Sequence, residues 1–333
     1  MFKQAAKSGL AHLALMRNKF ANIIDPPTIV LAYHRVTSLT DDPHQLAVEP
    51  ENFRQQLAFL KKQFKRIVRF DGNWEGKGPA VCLTFDDGYA DNYLTALPIL
   101  EEYDMSATVF VTTGHVGTLD EFWWDELERI LLHQLDLPQE PIPVCGSLSD
   151  VSARMDTNKL RLFNAVHSQL RSMPPEERNA WLEKLRTWAG ISSKGRDSHR
   201  SVSLFELQQL AKHPLICIGA HTHLHPCLSS LDYQDQFTEI ERSKKLLEEW
   251  LSIPIEVFAY PFGARGLLGR SGDYNGTSMR ICKELGFKRA AANYSGQAHF
   301  WTNKYAIPRH LVRDWSTIDF SHHLRGFFEA GSL

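Results

Sequence analysis

"AVCLTFDDG", Ala80 to Gly88, decides how the rest of the chain is read. A short, mainly apolar run stops abruptly at two carboxylates and a glycine. A run of that length bounded by turn residues is a strand signal. Five more runs of the same kind follow the same rule: "TIVLAY" (28–33), "ATVFVT" (107–112), "ICIGA" (216–220), "IEVFAY" (from Ile255) and "KRAAAN" (288–293). Helical patterns lie between them. Pro50 opens one in which Phe53, Leu57, Leu60 and Phe64 share a face; 234–251 carries Phe237, Ile240, Leu247, Trp250 and Leu251 on one stripe. Strand–helix alternation predicts an α/β fold, a mostly parallel sheet with helices outside. Residues 120–212 break the rhythm and read as a helical insertion, with patterns at "FWWDELERILL", around Leu160, Phe163 and Leu170, and from Pro175 on. "SSKGRDSHRS" (192–201) reads as a polar, mobile loop. There is no internal repeat.

The strand ends carry the chemistry. Asp86 and Asp87 repel each other at the mouth of a buried strand unless something positive sits there; the alternative is an ordinary turn. "ICIGA" ends in His221, "TIVLAY" in His34-Arg35 and "IEVFAY" in Pro261-Phe262-Gly263. In a parallel barrel or sheet, sites are built at the carboxyl ends of strands. Within "HTHLHP" (His221–Pro226), residues four apart share one face of a helical turn, so His221 and His225 converge and His223 points away. A single turn closing at Pro226 suffices. Two imidazoles are either part of a metal site or surface and capping histidines; a catalytic Zn²⁺ wants three protein ligands.

Composition excludes some classes. The 333 residues carry a net charge of -2 and no basic run interleaved with aromatics, which speaks against nucleic acid. Five cysteines (Cys82, Cys145, Cys217, Cys227, Cys282) form no C-x₂-C pair, as expected in a reducing compartment. "GLAHLALM", flanked by Arg17 and Lys19, is too short for a secretory core, and no stretch of 18 apolar residues exists. The expected location is cytoplasmic. Residues 1–25 form an expected N-terminal helical arm, with Phe2, Ala6, Leu10, Leu13 and Phe20 near one stripe. It either packs on the domain formed by 26–333 or makes a weak membrane-surface contact.

"TFDDGY", "HTHLHP" and "FAYPFG" resemble, in order, the three leading motifs of the polysaccharide deacetylases, the NodB-homology carbohydrate esterases (family 4-like). "YHRV" (33–36) and "PENF" (from Pro50) extend the resemblance over nearly all of 28–320. It implies a distorted parallel (β/α) barrel. It implies that Asp87, His221 and His225 hold a divalent metal, Zn²⁺ foremost with Co²⁺ or Ni²⁺ as alternatives, and that Asp86 is the general base. An oxyanion donor falls at the backbone N–H near Phe262. The family's third motif usually has an arginine that orients the base; this chain has Ala259 there. Arg309, after Pro308 where the chain returns to the rim, is the expected replacement, with Arg35 and Arg265 as rivals. The last motif's histidine, the usual general acid, is replaced by Arg313. His34 is then expected to serve, ahead of His310. Trp124 and Tyr89 either stack on a sugar or pack the core.

The function so implied is metal-dependent removal of N-acetyl groups from an N-acetylated sugar in a polysaccharide, oligosaccharide, glycolipid or glycan precursor. An amide hydrolase acting on a small nitrogen compound and a catalytically impaired carbohydrate-binding relative are the alternatives.

Overall fold

The computed structural model describes residues 18, 20–134, 137–138, 140, 142–143, 159–266 and 272–330. Seven parallel strands lie in the order β8-β7-β6-β5-β4-β1-β9. They are β1 (Thr28–Tyr33), β4 (Ala80–Phe85), β5 (Ala107–Val111), β6 (Ile216–Ala220), β7 (Val257–Ala259), β8 (Arg289–Ala291) and β9 (His310–Leu311). β2 (Arg35–Val36) and β3 (Ala47–Val48) form a separate parallel pair.

The sheet curls until its ends nearly meet. Ile307 donates to Ala290 O and accepts from Ala292 N, and three residues later His310 and Leu311 pair with β1 at Leu31 and Ala32. The segment 307–311 therefore acts as the closing stave, and the result is the expected distorted parallel barrel.

Alternation sorts the side chains into two layers. Ile29, Leu31 and Tyr33 of β1, with Val81, Leu83 and Phe85 of β4, face the helices. Val30, Cys82, Phe110, Cys217, Val257 and Ala259 face the lumen. Gly219 has no side chain because a Cβ there would lie 2.4 Å from the Phe110 ring. Outside run α1 (Pro50–Gln63), α2 (Leu97–Glu102), α6 (Leu204–Lys212), α7 (Tyr233–Leu251), α8 (Gly276–Glu284) and α9 (Thr317–Ala330). The periodic positions Phe53, Leu57, Leu60, Ile240 and Leu247 are all fully buried. Each such side chain contributes about 1.5–3 kcal/mol of apolar burial.

The insertion contains α3 (Trp123–Leu131), α4 (Lys159–Ser172) and α5 (Pro175–Ala189). They share a core of their own, built on Trp123, Leu127, Phe163, Val166 and Leu182. Leu160, expected on the packed stripe, is 47% exposed. The stretch 192–201 is also not the loose loop its polarity predicts. Arg196 donates to Glu121 Oε1, Glu128 Oε2 and Asp125 O, and Arg200 donates to both oxygens of Glu206. Polar composition reads as mobile only when the partners are out of sight, and here they lie far away in sequence. Most of the N-terminal arm (1–17 and 19) falls outside the described residues. At its described end Phe20 is 67% exposed.

Candidate active site

Register brings the site together. β1 and β4 end level, Tyr33 opposite Phe85, and Asp86 N donates to Tyr33 O at 3.0 Å. β5 and β6 also end level, and His221 N donates to Val111 O at 3.1 Å. After β4 the backbone turns through left-handed conformations at Asp87 (φ 73°) and Gly88 (φ 80°). Gly88 satisfies this at no steric cost, whereas Asp87 carries strain. The turn is braced by Thr112 N to Asp87 O, and by Val202 N and Ser201 Oγ to Gly88 O.

"HTHLHP" is not a helical turn. Thr222 (φ 64°) and His225 (φ 52°) are both left-handed, and the loop is irregular. The two imidazoles converge because partners elsewhere hold the loop. Glu239 of α7 accepts from His223 N and Leu224 N at 3.0 and 2.8 Å. Arg178 of α5, 2% exposed, donates to Leu224 O at 2.8 Å and His225 O at 3.3 Å. Burial pushes the Arg178 guanidinium down to about 10, with Glu239 opposing. His223 does turn outward, as expected, with its Nδ1 against Thr113 Oγ1. Of the seven described non-glycine residues with positive φ, four (Asp87, Thr222, His225, Phe262) lie in this site. Strain is concentrated where groups must be aimed.

His221 Nε2 and His225 Nε2 lie 3.5 and 3.4 Å from the same atom, Asp87 Oδ1. All three residues are buried. His221 Nδ1 lies 2.8 Å from Ala259 O, so it carries the proton and leaves the Nε2 lone pair facing the carboxylate. Asp87 Oδ1 has no hydrogen-bond partner. An orphaned buried carboxylate oxygen facing two imidazole nitrogens is what a divalent cation would satisfy. The backbone partner on His221 is the usual support for a metal-ligating histidine. Two other clusters, Asp41–Glu128–His133 and Asp125–Glu128–His199, are already engaged by Arg196, His133 and Tyr89.

Asp86 faces Arg309. Nη1 donates to Oδ1 at 2.7 Å and Nη2 to Oδ2 at 2.6 Å, a two-pronged pair with the guanidinium wholly buried. Arg309 also donates to Ala292 O and Thr84 Oγ1 and lies over Phe110 in the lumen. Ala259, on the same inner face, is small enough to leave that volume free. Burial would raise the Asp86 carboxyl, but Arg309, His221 and His34 outweigh it and hold it at about 2. The rival arginines are elsewhere: Arg35 pairs with Asp91 at 3.0 Å, and Arg265 lies over Tyr294. His34 Nε2 is 3.9 Å from Asp86 Oδ2. Burial lowers the His34 imidazole, although Asp87 and Asp86 oppose it. His310 faces away, its Nε2 at Gly296 O and its ring stacked on Phe327.

His34, Asp86, Asp87, His221 and His225 line a cavity of about 250 Å³. Trp124 and Phe262 form part of its wall, with rings 4.6 and 4.7 Å from His225. Trp124 is only 5% exposed, so it mainly seats His225. Tyr89, expected as a possible sugar platform, does not line the cavity. It is fully buried, donates to Asp125 and accepts from Trp124 Nε1. Sequence reading missed Arg178 and Glu239, which carry no motif and act only through the fold.

A family model described as polysaccharide deacetylase matches residues 74–136 and 198–290. The gap between them contains α4 and α5. YxkH of Bacillus subtilis (strain 168), which bears the same family description, is 34% identical over 120 residues, 34% of this chain and 42% of its own. The chain thus spans less than half the length of that curated relative. The deacetylase PplD of Streptococcus pyogenes, solved in complex with acetate, is 19% identical with a TM-score of 0.56, over 90% of this chain and 98% of that one. IcaB from Ammonifex degensii is 18% identical with a TM-score of 0.58, over 92% and 98%. At such identities the solved structures speak for the fold alone, which is that of the NodB-type deacetylases. With the two matched segments carrying the ends of β4, β5, β6 and β7 described above, the chain is similar to the polysaccharide deacetylases in motifs and in fold.

Proposed function

We propose that the protein is a metal-dependent hydrolase that removes the acetyl group from an N-acetylated sugar of a polysaccharide, oligosaccharide or glycan precursor. The observation that carries this reading is the Arg309-held Asp86 carboxylate beside the Asp87–His221–His225 group in one cavity. A divalent cation, Zn²⁺ foremost with Co²⁺ or Ni²⁺ as alternatives, would supply Lewis acidity there, polarising a carbonyl and making water acidic near neutral pH. Asp86 takes a proton from the attacking water as the oxygen–carbon bond forms. A carboxyl held at about 2 is ionised at any working pH, and it passes the proton on readily. His34, starting neutral and 3.9 Å from Asp86 Oδ2, receives that proton. It delivers it to the nitrogen as the carbon–nitrogen bond breaks, leaving acetate and a free amine. The Phe262 backbone N–H, on a left-handed residue beside His225, is the candidate donor to the developing oxyanion.

The impaired-binder reading rested on the missing arginine and the missing general acid; the Arg309–Asp86 pair argues against the first ground, and His34 is the group proposed in answer to the second. No helix among the described residues is long and apolar enough to cross a membrane. The four described cysteines are unpaired and buried, which supports a reducing, cytoplasmic setting. The test is acetate release from N-acetylated glycans by protein stripped with chelator and reloaded with Zn²⁺, Co²⁺ or Ni²⁺. Metal-dependent release supports the reading, and no release from any such glycan contradicts it.

A further inference from the structure

Beyond the metal group, the cavity mouth carries two guanidinium groups beside two imidazoles that burial keeps neutral. It is lined by His44, His167, Arg171 and Arg313, drawn from three separate parts of the chain. His167 and Arg171 are one turn apart on α4, His44 lies between β2 and β3, and Arg313 follows β9. The His44 and His167 rings are 4.5 Å apart, and Arg313 Nη1 donates to His44 O.

These groups are only partly satisfied. Among the described residues Arg313 pairs with no carboxylate; its guanidinium donates only to the carbonyls of His44 and Gln45. Asp42, nearby, spends its two oxygens on Leu46 N and Ala47 N. Arg171 gives one nitrogen to Asp273 and lies over the Phe262 ring at 4.4 Å, while its Nε is buried without a partner. His44 Nε2 is also buried without a partner. Among the described residues the carboxylates lining the cavity are Asp86, paired with Arg309, and Asp87, which faces His221 and His225. Buried nitrogens left without a partner, such as Arg171 Nε and His44 Nε2, cost free energy that a bound anion would offset. A guanidinium fork matches phosphate and carboxylate oxygens.

We infer that this mouth receives an anionic group, a phosphate or carboxylate, carried on or next to the acetamido sugar. The inference rests on the proposed sugar-deacetylase reading, and binding separates the two. Calorimetry on the metal-loaded Asp86→Asn variant, which need not turn over, would compare N-acetylglucosamine 1-phosphate, N-acetylmuramic acid and neutral di-N-acetylchitobiose. At least one anionic probe is expected to bind tenfold or more tightly than the neutral one, with a preference that shrinks as salt rises. The better of the two anions identifies phosphate or carboxylate. Adding Arg313→Gln should cut the anionic-to-neutral affinity ratio about tenfold, and Arg171→Lys, which keeps the charge but loses the fork, should cut it less. Equal affinity for charged and neutral probes overturns the inference. So does an anionic preference that survives Arg313→Gln, since the metal alone would then hold the anion. Failure of acetate release with the preference intact would sink the deacetylase reading and leave the anion site standing.

Discussion

Asp86 and Asp87 are neighbours in sequence with different surroundings, and single substitutions should separate them. Asp87→Asn and His225→Ala are expected to abolish binding of about one divalent ion, while His223→Ala, whose ring faces Thr113, keeps it. Metal content after dialysis reads all three. Arg309→Ala should cost roughly 2–4 kcal/mol in kcat/KM, because it leaves a buried carboxylate without its partner, and Arg309→Lys should recover only part. The same pair fixes an acid limit. The Asp86 carboxyl is held at about 2, below its ordinary unfolded value near 3.9. The pair's contribution to stability is therefore complete above about pH 4 and is lost as pH falls toward 2. In Arg309→Lys the acid limb of the kcat/KM profile should move to higher pH; an unmoved limb would mean that Arg309 does not set the carboxyl.

The histidine loop shows what holds an element in place. The four-residue spacing of His221 and His225 indicated that they meet, but the path is two left-handed residues and not a helical turn. Spacing alone cannot show this, because the conformation is imposed from outside. Arg178 reaches Leu224 from 46 positions earlier, and Glu239 from 15 later. By contrast the strands were legible, since every residue of β1, β4, β5 and β6 is buried and the sequence is apolar to match. The polar stretch 192–201 misled for the same reason as the loop: Arg196 is fixed by Glu121 and Glu128, which only the fold brings near. Arg178→Ala and Glu239→Gln are expected to weaken metal binding about 10–100-fold, as outer partners of ligands do, without touching a ligand. Competitive metal titration checks this, and unchanged affinity in both variants would show that the loop holds its own shape.

At the scale of the molecule, barrel closure and the proposed active site share one segment. The stave 307–311 joins β8 to β1 and carries Arg309 into the lumen, where Ala259 leaves room. A two-residue strand such as β9 gives almost no pattern to read, so only the expected return of the chain to the rim pointed to Arg309. Metal binding should also stabilise the whole fold. At a free concentration 100 times Kd the gain is about 2.7 kcal/mol, so chelator should lower the thermal midpoint and re-addition should restore it. A midpoint indifferent to metal would mean that the three-ligand group does not bind one in the folded state. The central claim is that Asp86 moves a proton beside a metal held by its neighbour. It is tested most directly by acetate release from an N-acetylated glycan, comparing wild type and Asp86→Asn at equal metal content. The account predicts a rate about 10²–10⁴ lower in the variant with metal retained; an undiminished rate, or a loss explained by missing metal, would contradict it.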